Sequence, residues 1–362
     1  MFRGIQYSIL VLLLLCVSCA KQQQSSTTDA RCAFSADSAY AYIAQQVAFG
    51  ARVPGTEAHE KCGDWLVSEL ARHGAQVKNQ YGSMPNYAGK VQDFRNIVAY
   101  FEGNTPSAIL LCAHWDCRPW SDEEELYEHR FEPVMGANDG ASGVGVVLEI
   151  IRQLAILKAN GEFVPSVQVV LFDCEDMGTP NHYTGTQRDN TWCLGSQFWA
   201  KEYKESNVEC QMSNVESQMS NVECQMSNVE SRMSNVESRM SSVKCQYGVL
   251  LDMVGDPSAT FPREYFSVNY AGSYVEQLWR TAQRLGYGRY FVQQNTYFPI
   301  TDDHYYVSTI AGIPCVDIID YKQNTETGFA DWWHTQRDDM RNINKQTLQA
   351  VGETVLTTIC SK

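Results

Sequence analysis

Basic residues are scarce in this sequence, which has 28 Lys and Arg against 42 Asp and Glu and a formal net charge of −14 at pH 7. Nucleic acids are bound through clustered lysines and arginines, and the absence of such a cluster argues against a nucleic acid partner. Beyond residue 19 no two cysteines have CxxC spacing, so a structural zinc site built from cysteines is not expected. The longest apolar run, residues 9–17, is too short to span a bilayer comfortably.

The first residues have the organisation of a secretory signal peptide, because Arg3 precedes the apolar run and small residues lead up to Cys19. We expect residues 1–19 to direct export and the polar residues 20–35 to form a flexible tether. Cys19 also resembles the lipid-modified cysteine of bacterial lipoproteins, and the alternative is simple cleavage nearby. The expected location is the bacterial periplasm or cell envelope, with membrane attachment if a lipid is added to Cys19.

The remaining chain is long enough for one large domain, since about 340 residues with 44% hydrophobic content can bury a substantial core. Apolar runs typical of strands alternate with segments of helical period. This alternation predicts an α/β domain over residues 36–362, with a mixed, largely parallel central sheet flanked by helices. Strands are predicted at residues 96–101, 108–113, 166–172, 248–253 and 314–319, and helices at residues 37–50, 56–74, 144–154, 194–203, 274–285 and 344–360.

A repeated segment interrupts this pattern at residues 206–247. Units such as SNVECQM and SNVESRM recur with a period of seven, and valine and methionine alternate at spacings of four and three. That spacing is the a/d pattern of a coiled coil, which would make the segment an oligomerising helix. Its many Ser and Asn residues are poor helix formers, however, and near-identical units are typical of tandem duplication. We expect a flexible or weakly helical insertion without a catalytic role, and the sequence does not determine the oligomeric state.

Residue types suited to metal binding and proton transfer recur directly after hydrophobic runs. Buried parallel strands bring their carboxyl ends to one edge of a sheet, so these side chains are expected to converge. Imidazole and carboxylate ligands can hold Zn²⁺ while one coordination position stays open for chemistry. The pattern therefore predicts a site of the zinc hydrolase type. The residues concerned are His114, Asp116, Asp139, Glu175, Asp176, Asp252 and His334.

Each of these residues also has an interpretation without catalysis. The pair Glu175-Asp176 could be a solvated turn, Asp139 an N-cap, and His334 a surface histidine. The pair nevertheless ends a buried run, where one carboxylate can bind metal while its neighbour handles protons. His334 follows two tryptophans that a soluble protein would ordinarily bury, which indicates a pocket wall.

The motifs in order along the chain are RVPGT, AHWD, NDGASG, LFDCED, LLDMVGD, DDHYYV, GIPCVDII and WWHT. Together they resemble the zinc-dependent glutaminyl cyclases of animal and bacterial type, which share a fold with the two-zinc aminopeptidases. The resemblance covers residues 36–360 apart from the repeat. Its specificity lies in the combination, since any one motif alone would be weak.

The resemblance implies an enzyme that converts the N-terminal glutamine of peptides or proteins to pyroglutamate and releases ammonia. One zinc ion per chain would be held by Asp139, Asp176 and His334, and Glu175 would carry the proton. Asp176 stands where animal enzymes have Glu, so it supplies the same oxygen ligand from a side chain one methylene shorter.

Substrate contacts are implied at five further positions. The residues matching Asp252 and Asp302 hydrogen-bond the substrate and assist departure of the leaving group. Trp333 matches the ring that lines the glutamine pocket, and Trp192 and Phe329 match its rim.

Three more residues would support the site from behind, namely His114, Asp116 and Asp317. Asp116 would orient the second ring nitrogen of His114. Asp317 stands where animal cyclases have a histidine.

Two other functions stay open at this stage. A two-zinc aminopeptidase would use His114, Asp139, Asp176, Asp252 and His334 as ligands, and all five are present. A non-catalytic binding domain on the same fold is the second alternative, although such relatives usually lose metal ligands.

Two residues that bind no metal favour the cyclase. Aminopeptidases typically have Ser in place of Asp302, and more often Tyr in place of Trp333.

Overall fold

The computed structural model describes residues 33–219 and 243–361, so the expected leader and most of the expected tether lie outside the described residues. Helices and strands alternate through most of this length. The helices are α1 (Ala36–Ala48), α2 (Glu57–Arg72), α3 (Ala141–Ala159), α4 (Leu194–Met219), α5 (Tyr265–Leu285), α6 (Asp303–Tyr306) and α7 (Lys345–Cys360). The strands are β1 (Gln76–Pro85), β2 (Val91–Phe101), β3 (Ala108–His114), β4 (Ser166–Phe172), β5 (Cys245–Asp252), β6 (Phe261–Arg263), β7 (Phe291–Asn295) and β8 (Cys315–Ile319).

Several helix ends are set by capping residues. Ser35 accepts a hydrogen bond from the Ser38 amide at the start of α1, and Asn344 does the same for two amides at the start of α7. These side chains satisfy backbone donors that have no partner within the helix. Gly286 ends α5 with φ of 87°, a left-handed conformation that glycine adopts without steric cost.

The described residues form a six-stranded central sheet in the order β1-β2-β4-β3-β5-β8. Strands β4, β3, β5 and β8 run parallel to one another, whereas β2 is antiparallel to both of its neighbours. The predicted mixed, largely parallel sheet is therefore confirmed. Since the four parallel strands point the same way, the residues that follow β3, β4 and β5 meet at one edge.

Alternate residues of the central strands face opposite layers of helices. Along β3, Leu111 and Ala113 join the core beneath α1, α3 and α7. Leu110 and Cys112 join a smaller core on the other face, which includes Trp199 of α4. Burial on both faces explains why these strands read as continuous apolar runs.

The structure differs from the expected elements at three places. Strand β1 was not expected, because its residues are half-buried or exposed and mostly polar. Helix α5 begins at Tyr265 rather than near residue 274 and is kinked at Ala271. Helix α4 runs to Met219, past the expected end near residue 203, so the first units of the repeat continue this helix. The remainder of the expected insertion, residues 220–242, lies outside the described residues.

Within the described residues no helix combines the length and apolar character needed to cross a membrane. The buried cysteines of this part form no disulfide, namely Cys62, Cys112, Cys117, Cys174, Cys193, Cys245 and Cys315. Five of them pack as small apolar side chains in the hydrophobic clusters, namely Cys62, Cys112, Cys174, Cys245 and Cys315.

Candidate active site

The residues expected to converge do so at the carboxyl edge of the sheet. His114 is the last residue of β3 and Asp252 the last residue of β5. Glu175 and Asp176 lie in the loop after β4, and Asp139 lies just before α3. His334 comes from the long connection between β8 and α7. Five separate segments therefore supply one site.

Asp139, Asp176 and His334 form what we call the primary cluster. The Nε2 atom of His334 lies 3.1 Å from Asp176 Oδ1 and 3.5 Å from Asp139 Oδ2. The three side chains are buried, and one ligand atom from each lies within 4.8 Å of the others. Two carboxylates and an imidazole at this spacing are a donor set that suits a divalent transition metal such as zinc.

His114, Asp139 and Asp252 form a secondary cluster beside the first. The Nε2 atom of His114 lies 3.0 Å from Asp139 Oδ1 and 3.2 Å from Asp252 Oδ1. Asp139 therefore belongs to both clusters, with one oxygen directed to each histidine. The arrangement is compatible with one metal ion or with two.

The ionisation of these groups follows from burial and from charge crowding. Burial and the neighbouring Asp176 raise the pKa of Asp139 well above its usual range. Burial and Asp176 likewise raise the pKa of Glu175, and burial and Asp252 raise the pKa of Asp302 to about 7. Several carboxylates thus compete for charge in one buried space, which a bound cation would relieve.

The two histidines differ in their ionisation. Burial lowers the pKa of His334 below its ordinary value, which favours the neutral ring that a metal requires. Burial also disfavours the charged form of His114. The carboxylates of Asp116, Asp139 and Asp252 outweigh that effect and raise the pKa of His114 well above its ordinary value.

Left-handed backbone conformations concentrate around the site. His334 has φ of 53°, and Met253, which follows Asp252, has φ of 49°. Cys174, which precedes Glu175, and Cys193 have φ of 56° and 55°. Such conformations are unfavourable for residues other than glycine and persist where the surrounding structure imposes them.

Backbone hydrogen bonds hold the ligand loops together. The Oδ1 atom of Asp116 lies 3.4 Å from the Nδ1 atom of His114. Its carboxylate also accepts hydrogen bonds from the amides of Glu175 and Asp176, at 3.2 and 3.3 Å. Asp338, which was not expected, accepts the amides of Asn138 and Asp139 at 2.8 and 3.0 Å.

A pocket of about 540 Å³ opens over the primary cluster. Asp252 and Asp302 line it together with Glu175, and so do the expected aromatic residues Trp192, Phe329 and Trp333. The Trp333 ring stacks on the His334 ring with centroids 3.6 Å apart, and Phe329 packs against Trp333 at 4.6 Å. Aromatic walls around a few polar groups are typical of a pocket that encloses a small chemical group.

Asp317 does not line the pocket. It lies within β8, fully buried, with Oδ2 3.5 Å from His304 Nδ1. One of its carboxylate oxygens also lies within 4.8 Å of Asp302, which does line the pocket. Asp317 thus lies outside the pocket lining, next to Asp302.

Besides Asp338, two other residues near the site were not predicted from the sequence, Arg118 and Cys193. Arg118 is buried and donates two hydrogen bonds to Asp122, at 2.7 and 2.6 Å, and a third to the Asp176 carbonyl at 3.0 Å. Its guanidinium also lies 4.8 Å from the centroid of the Trp192 ring. Cys193 donates a hydrogen bond to Glu175 through its thiol. The sequence signal for Arg118 is its position two residues after the AHWD motif. Nothing in the sequence links Cys193 to Glu175.

The known proteins that resemble this chain include a Zn-dependent exopeptidase and glutaminyl cyclases. The model of peptidase family M28 matches residues 96–359. A solved Zn-dependent exopeptidase from Parabacteroides distasonis is 42% identical, with a TM-score of 0.76 and coverage of 92% of this chain and 100% of that one. The glutaminyl cyclase of Tannerella forsythia is 42% identical, with a TM-score of 0.76 and coverage of 91% and 99%. That of Porphyromonas gingivalis is 40% identical, with a TM-score of 0.74 and coverage of 91% and 98%. No match was found among curated proteins.

Proposed function

The chain belongs to peptidase family M28, and from this premise we propose that it is a zinc-dependent glutaminyl cyclase. Its substrates are peptides or proteins with an N-terminal glutamine. The α-amine of that residue attacks its own side-chain amide, which yields pyroglutamate and ammonia.

The observation that carries this proposal is the lining of the pocket. Asp302 and Trp333, the two residues that separate cyclases from aminopeptidases in the sequence, lie in the same pocket as the primary cluster. Asp302 is 4% exposed, and Trp333 is stacked on His334. A pocket with an aromatic wall suits a glutamine side chain that must fold back on its own amine.

Asp139, Asp176 and His334 would hold the zinc ion, one per chain. Bound there, zinc supplies a Lewis acid that polarises the γ-carbonyl of the substrate. Two buried carboxylates, and a histidine whose lowered pKa favours the neutral ring, support this assignment.

Glu175 is the proton carrier in the proposed reaction. Its carboxylate accepts a proton from the α-amine as the new bond forms between that nitrogen and the γ-carbonyl carbon. It then gives the proton to the amide nitrogen as the old carbon–nitrogen bond breaks and ammonia departs. No water molecule is consumed. The raised pKa of Glu175 brings it towards the range in which a carboxyl group both accepts and returns a proton near neutral pH.

The remaining pocket residues orient the substrate. Asp252 and Asp302 hold the leaving amide by hydrogen bonds, and Trp333 shapes the pocket together with Trp192 and Phe329 at its rim. Behind these residues, His114, Asp116 and Asp317 support the site.

The secondary cluster favours a second candidate, a two-zinc aminopeptidase. His114, Asp139 and Asp252 have ligand atoms within 4.8 Å of one another and could hold a second ion. In that enzyme a metal-bound water would be the nucleophile, and the free amine of the substrate would be bound rather than consumed.

Two substrates and one metal determination separate the candidates. Purified protein is expected to release ammonia from a Gln-initiated dipeptide, to release no amino acid from a Leu-initiated one, and to contain one zinc per chain. Release of leucine together with two zinc ions per chain would instead establish the aminopeptidase. A Glu175→Gln variant is expected to keep its zinc and lose turnover, and full activity in that variant would remove Glu175 from its role.

The proposed location is the cell envelope, reached through the leader at residues 1–19, with a lipid on Cys19 as the anchor. The sequence of the leader supports this proposal. Expressed in a bacterium, the protein should fractionate with membranes, and Cys19→Ala should move it to the soluble periplasmic fraction. Wild-type protein found only in the soluble fraction would contradict lipid attachment.

A further inference from the structure

The side chain of Glu175 receives one hydrogen bond from the protein. The thiol of Cys193 donates to Glu175 Oε1, with sulfur and oxygen 3.2 Å apart. Within the described part of the chain, no other side chain or amide donates to this carboxylate. The group proposed to move protons is therefore oriented by a single neighbour.

The backbone fixes this contact. The amides of Cys193, Leu194 and Gly195 donate to the carbonyls of Glu175, Cys174 and Asp173, at 2.9, 3.0 and 3.1 Å. The loop after β4 is thus hydrogen-bonded to the residues at the start of α4, directly beside the site. A Cβ atom at Gly195 would lie 2.3 Å from the Asp173 carbonyl oxygen, so this close approach requires glycine.

The left-handed conformation of Cys193 contributes to the same arrangement. Its φ of 55° is unfavourable for a residue with a side chain, and the three amide–carbonyl hydrogen bonds hold the backbone there. Cys193 is fully buried, and its thiol is directed to the carboxylate rather than to the apolar core. Strain of this kind is found where a side chain must be held in one position.

We propose that Cys193 is a positioning residue that holds the Glu175 carboxylate in the orientation required for proton transfer. The proposal rests on the proposed function, because it assumes that Glu175 carries the proton. Donation to Oε1 leaves Oε2 as the oxygen that exchanges the proton with substrate. Burial and the neighbouring Glu175 raise the pKa of Cys193 well above its usual range, which keeps the thiol protonated and able to donate.

A thiol suits this position because it is an uncharged donor. A charged donor would stabilise the carboxylate and oppose its protonation, whereas Glu175 must take up a proton and release it in each turnover. The thiol fixes the direction of the side chain at small electrostatic cost.

The kinetic test compares Cys193→Ala, which removes the donor, with Cys193→Ser, which retains one. Cys112→Ala is the matched control. Cys112 is as fully buried as Cys193, but it lies in β3 and outside the pocket. With a Gln-initiated peptide, Cys193→Ala is expected to lower kcat on the order of tenfold with little change in KM. Cys193→Ser should recover most of that loss, Cys112→Ala should retain wild-type kcat, and zinc content should be equal in all three.

A second measurement reads the contact without turnover. The infrared S–H stretching band of Cys193, assigned from its loss in Cys193→Ala, should move to higher frequency in Glu175→Leu, because that variant removes the acceptor. A band that does not move would overturn the proposal.

The kinetic outcomes also separate this proposal from the proposed function. Wild-type kcat in Cys193→Ala, or a Cys193→Ser variant as slow as Cys193→Ala, would reject the role of Cys193 alone. A wild-type protein that releases no ammonia would reject the proposed function and this role with it.

Discussion

The primary and secondary clusters share Asp139, yet their surroundings compensate charge in different ways. Beside the primary cluster, the buried guanidinium of Arg118 neutralises Asp122, whose Oδ1 lies 3.7 Å from the Nδ1 atom of His334. Around the secondary cluster no Lys or Arg of the described residues forms an ion pair, and three carboxylates surround His114. Burial lowers the pKa of His334, whereas the neighbouring carboxylates raise the pKa of His114.

This difference indicates how one scaffold can serve one metal or two. A lowered pKa favours the neutral imidazole, which is the form that binds a cation. A raised pKa favours the protonated imidazole, whose charge offsets the surrounding carboxylates. The surroundings of the two histidines therefore favour a metal ion at the primary cluster and a proton at the secondary cluster.

Replacing each of the two histidines by alanine should test this comparison most strongly. His334→Ala removes a zinc ligand, and we expect it to lose zinc and to lower kcat/KM by at least on the order of 10³. His114→Ala should retain one zinc per chain and a much larger share of activity. Metal analysis and steady-state assays on the same samples would check this. Equal loss of zinc in both variants would mean that the clusters are equivalent.

The two clusters should also differ at their unshared carboxylates. Asp252→Asn is expected to keep zinc and to lower kcat on the order of a hundredfold, because it disturbs the hold on the leaving amide. Asp176→Asn, the matched change in the primary cluster, should weaken zinc binding as well. Competition with a chelator measures the zinc affinity of each. Loss of zinc in Asp252→Asn would place this residue among the ligands.

Arg118 tests the charge compensation itself. Arg118→Met removes the cation while keeping much of the volume of the side chain, and it leaves Asp122 as a buried unpaired carboxylate. We expect zinc affinity to fall by about tenfold. KM should rise, because Trp192 loses its cationic neighbour. Arg118→Lys keeps the charge but not the pair of hydrogen bonds to Asp122. Its zinc affinity should lie between those of the wild type and Arg118→Met. Unchanged zinc affinity in Arg118→Met would show that this ion pair does not influence the primary cluster.

Asp338 should give the smallest effect on catalysis. Asp338→Asn replaces one of two acceptors for the amides of Asn138 and Asp139, and leaving a buried donor without a partner costs about 1–3 kcal/mol. The expected result is a lower Tm with a modest change in kcat. The zinc-loaded and zinc-free proteins should both show the drop, since the hydrogen bonds belong to the loop and not to the metal. A loss confined to the zinc-loaded form would argue that Asp338 acts on the metal instead.

The convergence of the site was predictable because β3, β4 and β5 are buried on both faces. Such strands appear in the sequence as unbroken apolar runs, and the polar residue that ends each run marks the edge of the sheet. Asp302 had no such signal, since it lies at the start of the short helix α6, and only the family resemblance singled it out.

Other features depend on contacts that periodicity does not encode. Strand β1 pairs with β2 along its whole length, but its side chains are too exposed to show an alternating apolar pattern. The contact between Cys193 and Glu175 depends on hydrogen bonds that join the loop after β4 to the start of α4, and on two left-handed residues. A close approach of this kind has no repeating pattern that a sequence could display.

The left-handed backbone of His334 has a consequence for mutational tolerance. Glycine and asparagine adopt φ near 53° more readily than histidine does, so either residue could fit this position with a relaxed backbone. A selection for folded protein would therefore accept substitutions here that a selection for catalysis would reject. At position 334 the backbone conformation favours glycine or asparagine, whereas the proposed chemistry requires histidine.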